Sequence, residues 1–116
     1  TRVELWARAL KDTLADVNEA GRIAYLIEKR QLASIALMLA FRPGLYHLLF
    51  PELEAGFWEA AKHGDWDALE NCRLQALGRL RQTAADLSEI LASQGSSPAP
   101  DILAQVKAKF LAPLGL

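Results

Sequence analysis

The sequence predicts an all-α fold, a helical bundle of about five to six helices with two long antiparallel helices, and three observations predict it. Apolar residues recur every three or four positions along two long stretches. Proline and glycine corners divide the chain between them. The 116 residues, 52% hydrophobic, are enough to fill one core.

From Val3, the apolar positions Trp6, Leu10, Leu14 and Val17, then Ala24 and Ile27, fall on one helical face. Arg2, Glu4, Arg8, Lys11, Asp12 and Asp16 form the solvated opposite face. This reads as one long helix through about Lys29, in which Gly21 marks a kink or a close helix crossing, at roughly 1 kcal/mol against Ala. The polar stretch Glu28 to Gln31 is either a break or one exposed turn. The apolar run Leu32 to Phe41 has about half of the roughly 20 residues a membrane span needs, and reads as a buried helix.

Arg42-Pro43-Gly44 stops that run, because proline disfavours helical geometry in the residue before it and lacks an amide donor. Pro43 and Pro51 each suit a helix's first turn, which predicts short helices from Pro43 to Phe50 and from Pro51 to Lys62. Lys62-His63-Gly64-Asp65 supplies basic residues for a helix end, a glycine for a left-handed cap and an aspartate for the next N-cap. Trp66, Leu69, Cys72, Ala76, Leu80, Ala84, Leu87 and Leu91 then give a helix from about Trp66 to Ser93. At 1.5 Å per residue it runs roughly 42 Å and matches the first long helix.

Gln94 to Pro100 (QGSSPAP) reads as a linker that separates a bundle over 1–93 from a C-terminal helix over 101–116. Asp101 can N-cap that helix, whose apolar side is Ile102, Leu103, Val106 and Phe110. It is too short to stand alone in water, so it packs on its own bundle or on a partner chain.

Thirteen basic and fourteen acidic residues leave a formal charge of −1, with no field to hold a polyanion, so no direct nucleic-acid partner is expected. The single cysteine, Cys72, excludes an intrachain disulfide and a multi-cysteine zinc site, and fits a cytoplasmic setting. No secretory signal or membrane insertion is expected. The chain starts at Thr1 without Met, which points to an excised domain or a processed product.

Chemistry-bearing residues are sparse. His63, Asp65 and Asp67, with Glu59 one turn earlier, form a polar cluster that helix capping explains without a metal. Cys72 falls on an apolar stripe and reads as a small hydrophobe. Arg73, Arg79 and Arg81 read as a solvated basic face. No phosphate-loop, dinucleotide or nucleophile-elbow pattern occurs, so no enzyme activity and no cofactor is expected. Arg42 and His47 give an R-x4-H spacing that resembles the HEPN-type ribonuclease motif, although Pro43-Gly44 stands where that family usually has a polar residue.

The segment Ile35 to Leu53 (IALMLAFRPGLYHLLFPEL) resembles a stretch in the C-terminal regulatory domains of TetR-family transcription regulators, where an apolar helix ends in a Pro-Gly-Leu-Tyr corner. The resemblance implies an all-α domain that binds a small apolar effector in a cavity and dimerises through two helices. No helix-turn-helix precedes the segment here.

The expected function is therefore a non-enzymatic helical domain that binds a small apolar molecule or a protein partner and works as a homodimer. Trp6, Tyr25, Met38, Tyr46, His47 and Trp58 are the candidate pocket residues, since bundles commonly place ligand sites between aromatic-lined helices. The alternatives are a sensor domain excised from a larger receptor and a HEPN-like ribonuclease.

Overall fold

The computed structural model describes residues 1–93 and 99–116, and among them every regular element is helical. The first helix, α1 (Arg2–Val17), opens on a capping box in which the Thr1 hydroxyl accepts from the Glu4 amide while the Glu4 carboxylate reaches back to the Thr1 amine. It does not continue to Lys29. The Asn18 side chain donates to the Leu14 and Ala15 carbonyls and accepts from the Ala20 amide at 2.8 Å, satisfying groups that a continuing helix would otherwise pair. Gly21 then passes so close to α1 that a Cβ would collide with the carbonyl oxygens of Ala15 and Asp16. The expected long helix is thus divided, and Gly21 marks the close approach.

The second helix, α2 (Arg22–Glu28), ends in a Schellman motif: the Gln31 amide donates to Leu26 at 2.8 Å and the Arg30 amide to Ile27 at 3.0 Å. Arg30 takes the left-handed conformation usual for glycine there, with φ 51°. Glu28 to Gln31 is therefore a true break. Next come α3 (Leu32–Phe41), α4 (Gly44–Leu49) and α5 (Glu52–His63), with Pro43 and Pro51 at the N-cap positions rather than inside the first turns. Gly64, at φ 65°, caps α5 with its amide on the Ala60 carbonyl, and Asp65 Oδ1 accepts from the Ala68 amide to start α6 (Trp66–Ser93).

The α5–α6 hairpin packs tightly at Gly56, where a Cβ would lie 3.0 Å from both Cys72 Sγ and the Leu69 side chain. α1 runs antiparallel to α6: Trp6 shares a cleft with Leu80 and Thr83, while Val17 at the other end meets Arg73. Trp6, Val17, Ile23, Ile35, Phe50, Leu53, Leu69 and Leu80 are all but sealed from solvent. Each such large side chain contributes about 1.5–3 kcal/mol through burial.

The C-terminal helix, α7 (Ala99–Val106), begins before Asp101, which sits inside its first turn instead of capping it. A π-helical turn (Lys107–Leu111) and a 3-10 turn (Ala112–Leu114) follow. This segment lies on the bundle, with Val106 and Leu111 buried and the Phe110 ring stacked on Trp6 at 5.0 Å. The rest of the expected linker, residues 94–98, lies outside the described residues.

Candidate functional site

The feature that most departs from an ordinary core is α3. Its ten residues carry no charge, and apolar side chains occur all the way round it, more than one inward face can bury. Only Ile35 and Met38 are buried. The expectation of a buried helix is corrected accordingly, because among the described residues α2 and α5 are the elements that pack closely against α3, and its remaining side is exposed. Ala33, Leu37, Ala40 and Phe41 form an exposed stripe at helical spacing, with Leu37 58% and Phe41 81% accessible.

Grooves flank α3. One, of about 510 Å³, runs between α2 and α3, with Leu26, Leu37, Met38 and Phe41 as its apolar lining and Arg22 and Arg42 as its charged groups. The other, of about 360 Å³, lies between α3, α4 and α5 and is lined by Ala36, Leu39, Ala40, His47, Glu54, Phe57 and Trp58. Trp58, 48% exposed, meets Phe57 edge-on at 5.1 Å, and Lys62 Nζ lies 5.2 Å above its ring.

Beneath the first groove, Asp16 anchors a partly buried polar cluster. Its Oδ2 accepts from Arg42 Nη2 at 2.5 Å and from the Tyr46 hydroxyl at 2.6 Å, and Arg42 lies 3.6 Å from the centre of the Tyr46 ring. Burial, and then the hydrogen bond to Asp16, push the Tyr46 phenol well above its ordinary range. The cluster pins the end of α3 and the start of α4 to α1. By charge and helical spacing alone, Asp16 belongs to the solvated face of α1. Its place beside buried Thr13 and Val17, at the edge of the apolar stripe, is the signal that could have found it.

The six candidate pocket residues do not share one cavity. Trp6 floors a cleft of about 210 Å³ beneath Phe110, and Tyr25 stands 57% exposed on α2. Met38 lines the α2–α3 groove, and Tyr46 lines a separate cleft with Leu5, Arg8 and Ala9. His47 and Trp58 do meet, in the α3–α5 groove. Arg42 and His47 fall in different grooves, and Arg42 is engaged by Asp16 and Tyr46.

Arg73 and Arg79 of α6 are clamps, which corrects their reading as part of a solvated face, whereas Arg81 does stay on the surface. Arg73 is buried, donates to the Val17 carbonyl at 2.7 Å and pairs with Glu70. Arg79 donates to the Leu49 carbonyl at 3.0 Å and reaches both oxygens of Glu52. Both carbonyls lie at helix C-termini, where a cation satisfies an orphan acceptor and complements the helix dipole. Exposed Arg81 pairs with Glu19, whose pKa is lowered by a backbone hydrogen bond and by Arg81.

Cys72 is half-buried and free, and burial raises its thiol pKa, so it is not an activated thiolate. Among the described residues no cluster of His, Cys, Asp and Glu could hold a metal ion, and no helix is long and apolar enough to cross a membrane.

No curated protein and no solved structure matches the chain. A family does match, over residues 1–109, and on that extent the chain belongs to the family described as a family of unknown function (DUF6866), C-terminal domain.

Proposed function

We propose that this domain is a non-enzymatic protein-interaction module whose contact surface is the exposed face of α3. The observation that carries this reading is the Ala33, Leu37, Ala40, Phe41 stripe, a continuous apolar helix face left in water beside grooves on both flanks. Exposed apolar patches of this kind mark sites that another surface covers, since leaving large side chains wet forfeits their burial energy. The family is described as a C-terminal domain, which fits a module that works alongside other protein parts.

A photo-crosslinking residue placed at Phe41 or Leu37, in cells, should give discrete adducts, and the same residue at Glu89 on the exposed side of α6 should give none. Adducts of twice the protein's own mass would assign the homodimer expected from the sequence. Equal adducts at Phe41 and Glu89, or none at Phe41 and Leu37, would contradict the assignment.

A second reading, a small apolar ligand, is favoured by the α3–α5 groove, whose volume of about 360 Å³ and aromatic lining suit one. Half-exposed Trp58 is a built-in reporter there. Apolar ligands that bind should change its fluorescence and raise the unfolding temperature, and Trp58→Ala should abolish both effects.

A further inference from the structure

Resting on the reading of α3 as a contact face, we propose that the α2–α3 groove docks an acidic amphipathic helix of a partner protein. Its floor is apolar, with Leu26 of α2 and Met38 of α3 buried and Leu37 and Phe41 exposed, and the charged groups that line it are both arginines. Arg42 is already committed to Asp16 and the Tyr46 ring. Arg22 is not: its side chain is 63% exposed, and its ion-pair contact among the described residues is a long one, 3.9 Å to an aspartate that already accepts from Arg42 and Tyr46.

Seven residues after Arg22, at the C-cap of α2, stands Lys29, exposed and without an ion-pair partner among the described residues. Seven residues are two helical turns, about 10 Å, and return to nearly the same side of the helix. Arg22 lines the groove, and Lys29, just outside its lining, carries the cationic character of α2 past the groove's end, with exposed Tyr25 between them in sequence. A partner helix with carboxylates seven residues apart matches this spacing. Apolar residues three and four positions after the first carboxylate would then meet Leu37 and Phe41, in the helix-in-groove manner.

The charged edge orients the partner and speeds encounter, while the apolar floor holds it. The groove between α3 and α5 lacks this single sign, since Glu54 and His47 line it. A second copy fits less well: α3 has no acidic residue, and a two-fold antiparallel pairing of α3 with itself would bring the Arg22 and Lys29 edges together.

The test uses labelled alanine-based helical peptides and the intact chain. One peptide carries glutamates seven residues apart with leucines three and four residues after the first, and another has lysines in place of the glutamates. Anisotropy should show the acidic peptide binding about tenfold or more tighter, equivalent to about 1.4 kcal/mol. Amide shifts should be confined to α2 and α3. Lys29→Glu, at an exposed position outside the Asp16 cluster, should weaken the acidic peptide, and Arg22→Glu/Lys29→Glu should reverse the preference.

Equal binding of both peptides, lost in Leu37→Glu, overturns the acidic-partner assignment but leaves the interaction module standing. Binding of neither peptide overturns the assignment, and silent crosslinks at Leu37 and Phe41 then overturn the module as well. Sedimentation with phosphatidylserine vesicles, lost in Arg22→Glu/Lys29→Glu and without discrimination between peptides, overturns it in favour of a membrane surface.

Discussion

α3 and α6 invert what their compositions suggest. α3 carries no charge yet leaves Leu37 and Phe41 in water, whereas α6 is studded with charges and buries the guanidinium of Arg73. The difference is one of neighbours. Arg73 lies where α1 ends in a carbonyl without an intrahelical partner, so burial gives the arginine a bond that water would otherwise supply. α3 has neighbours on only part of its circumference, so its surplus of apolar residues has nothing to pack on. Burial follows the faces a fold supplies, and the surplus that remains is a surface for something else.

The comparison can be broken within α3 itself. Ile35→Ala removes a fully buried side chain and should cost about 2–5 kcal/mol in urea unfolding, the range for large-to-small changes at packed sites. A cost below about 1 kcal/mol would mean that the inner face of α3 is as loosely held as the outer one. On α6, Arg73→Ala should cost about 2–3 kcal/mol by stranding the Val17 carbonyl, with little contribution from partly exposed Glu70. If Arg81→Ala cost as much, the contrast between buried clamp and solvated arginine would fail, because an exposed ion pair such as Arg81–Glu19 adds little to stability.

Tyr46 sharpens the comparison where α3 is tied down. Tyr46→Phe should cost about 1.5–3 kcal/mol, the range for a hydrogen bond to a charged group. The folded-state pKa of Tyr46 is raised, so its contribution is fully present below the unfolded value near 10 and is lost progressively as the pH rises from there through the higher folded value. Wild-type stability should therefore fall more steeply above pH ~10 than that of Tyr46→Phe, by up to about 1.4 kcal/mol per pH unit. Parallel curves would show that the phenol is not sequestered.

Much of the fold was legible because its signals are local. The α5–α6 corner follows from Gly64 and Asp65, and the ends of α6 from the spacing of Trp66 to Leu91. The division of the first helix was not, since it depends on Asn18 folding back onto two carbonyls and on Gly21 passing beneath them. Gly21 flagged the place but not the outcome. The site was less legible still: residue type alone groups Trp6, Tyr25, Met38, Tyr46, His47 and Trp58, whereas tertiary packing sets Trp6, Met38 and Tyr46 in three different clefts, leaves Tyr25 exposed and brings His47 and Trp58 together. Asp16 acquires its role through neighbours distant in sequence, Arg42 and Tyr46, which no helical spacing encodes.

The smallest expected effect is the most telling. If the outer face of α3 belongs to a contact rather than to the core, Leu37→Ser/Phe41→Ser should leave the free energy of unfolding within about 0.5 kcal/mol of wild type, as for substitutions outside packed sites. Urea unfolding of that double variant, beside Ile35→Ala, tests the central claim directly. An unchanged midpoint is the predicted result, and a loss of about 2 kcal/mol or more would show that the stripe holds the fold together and is not free for a partner.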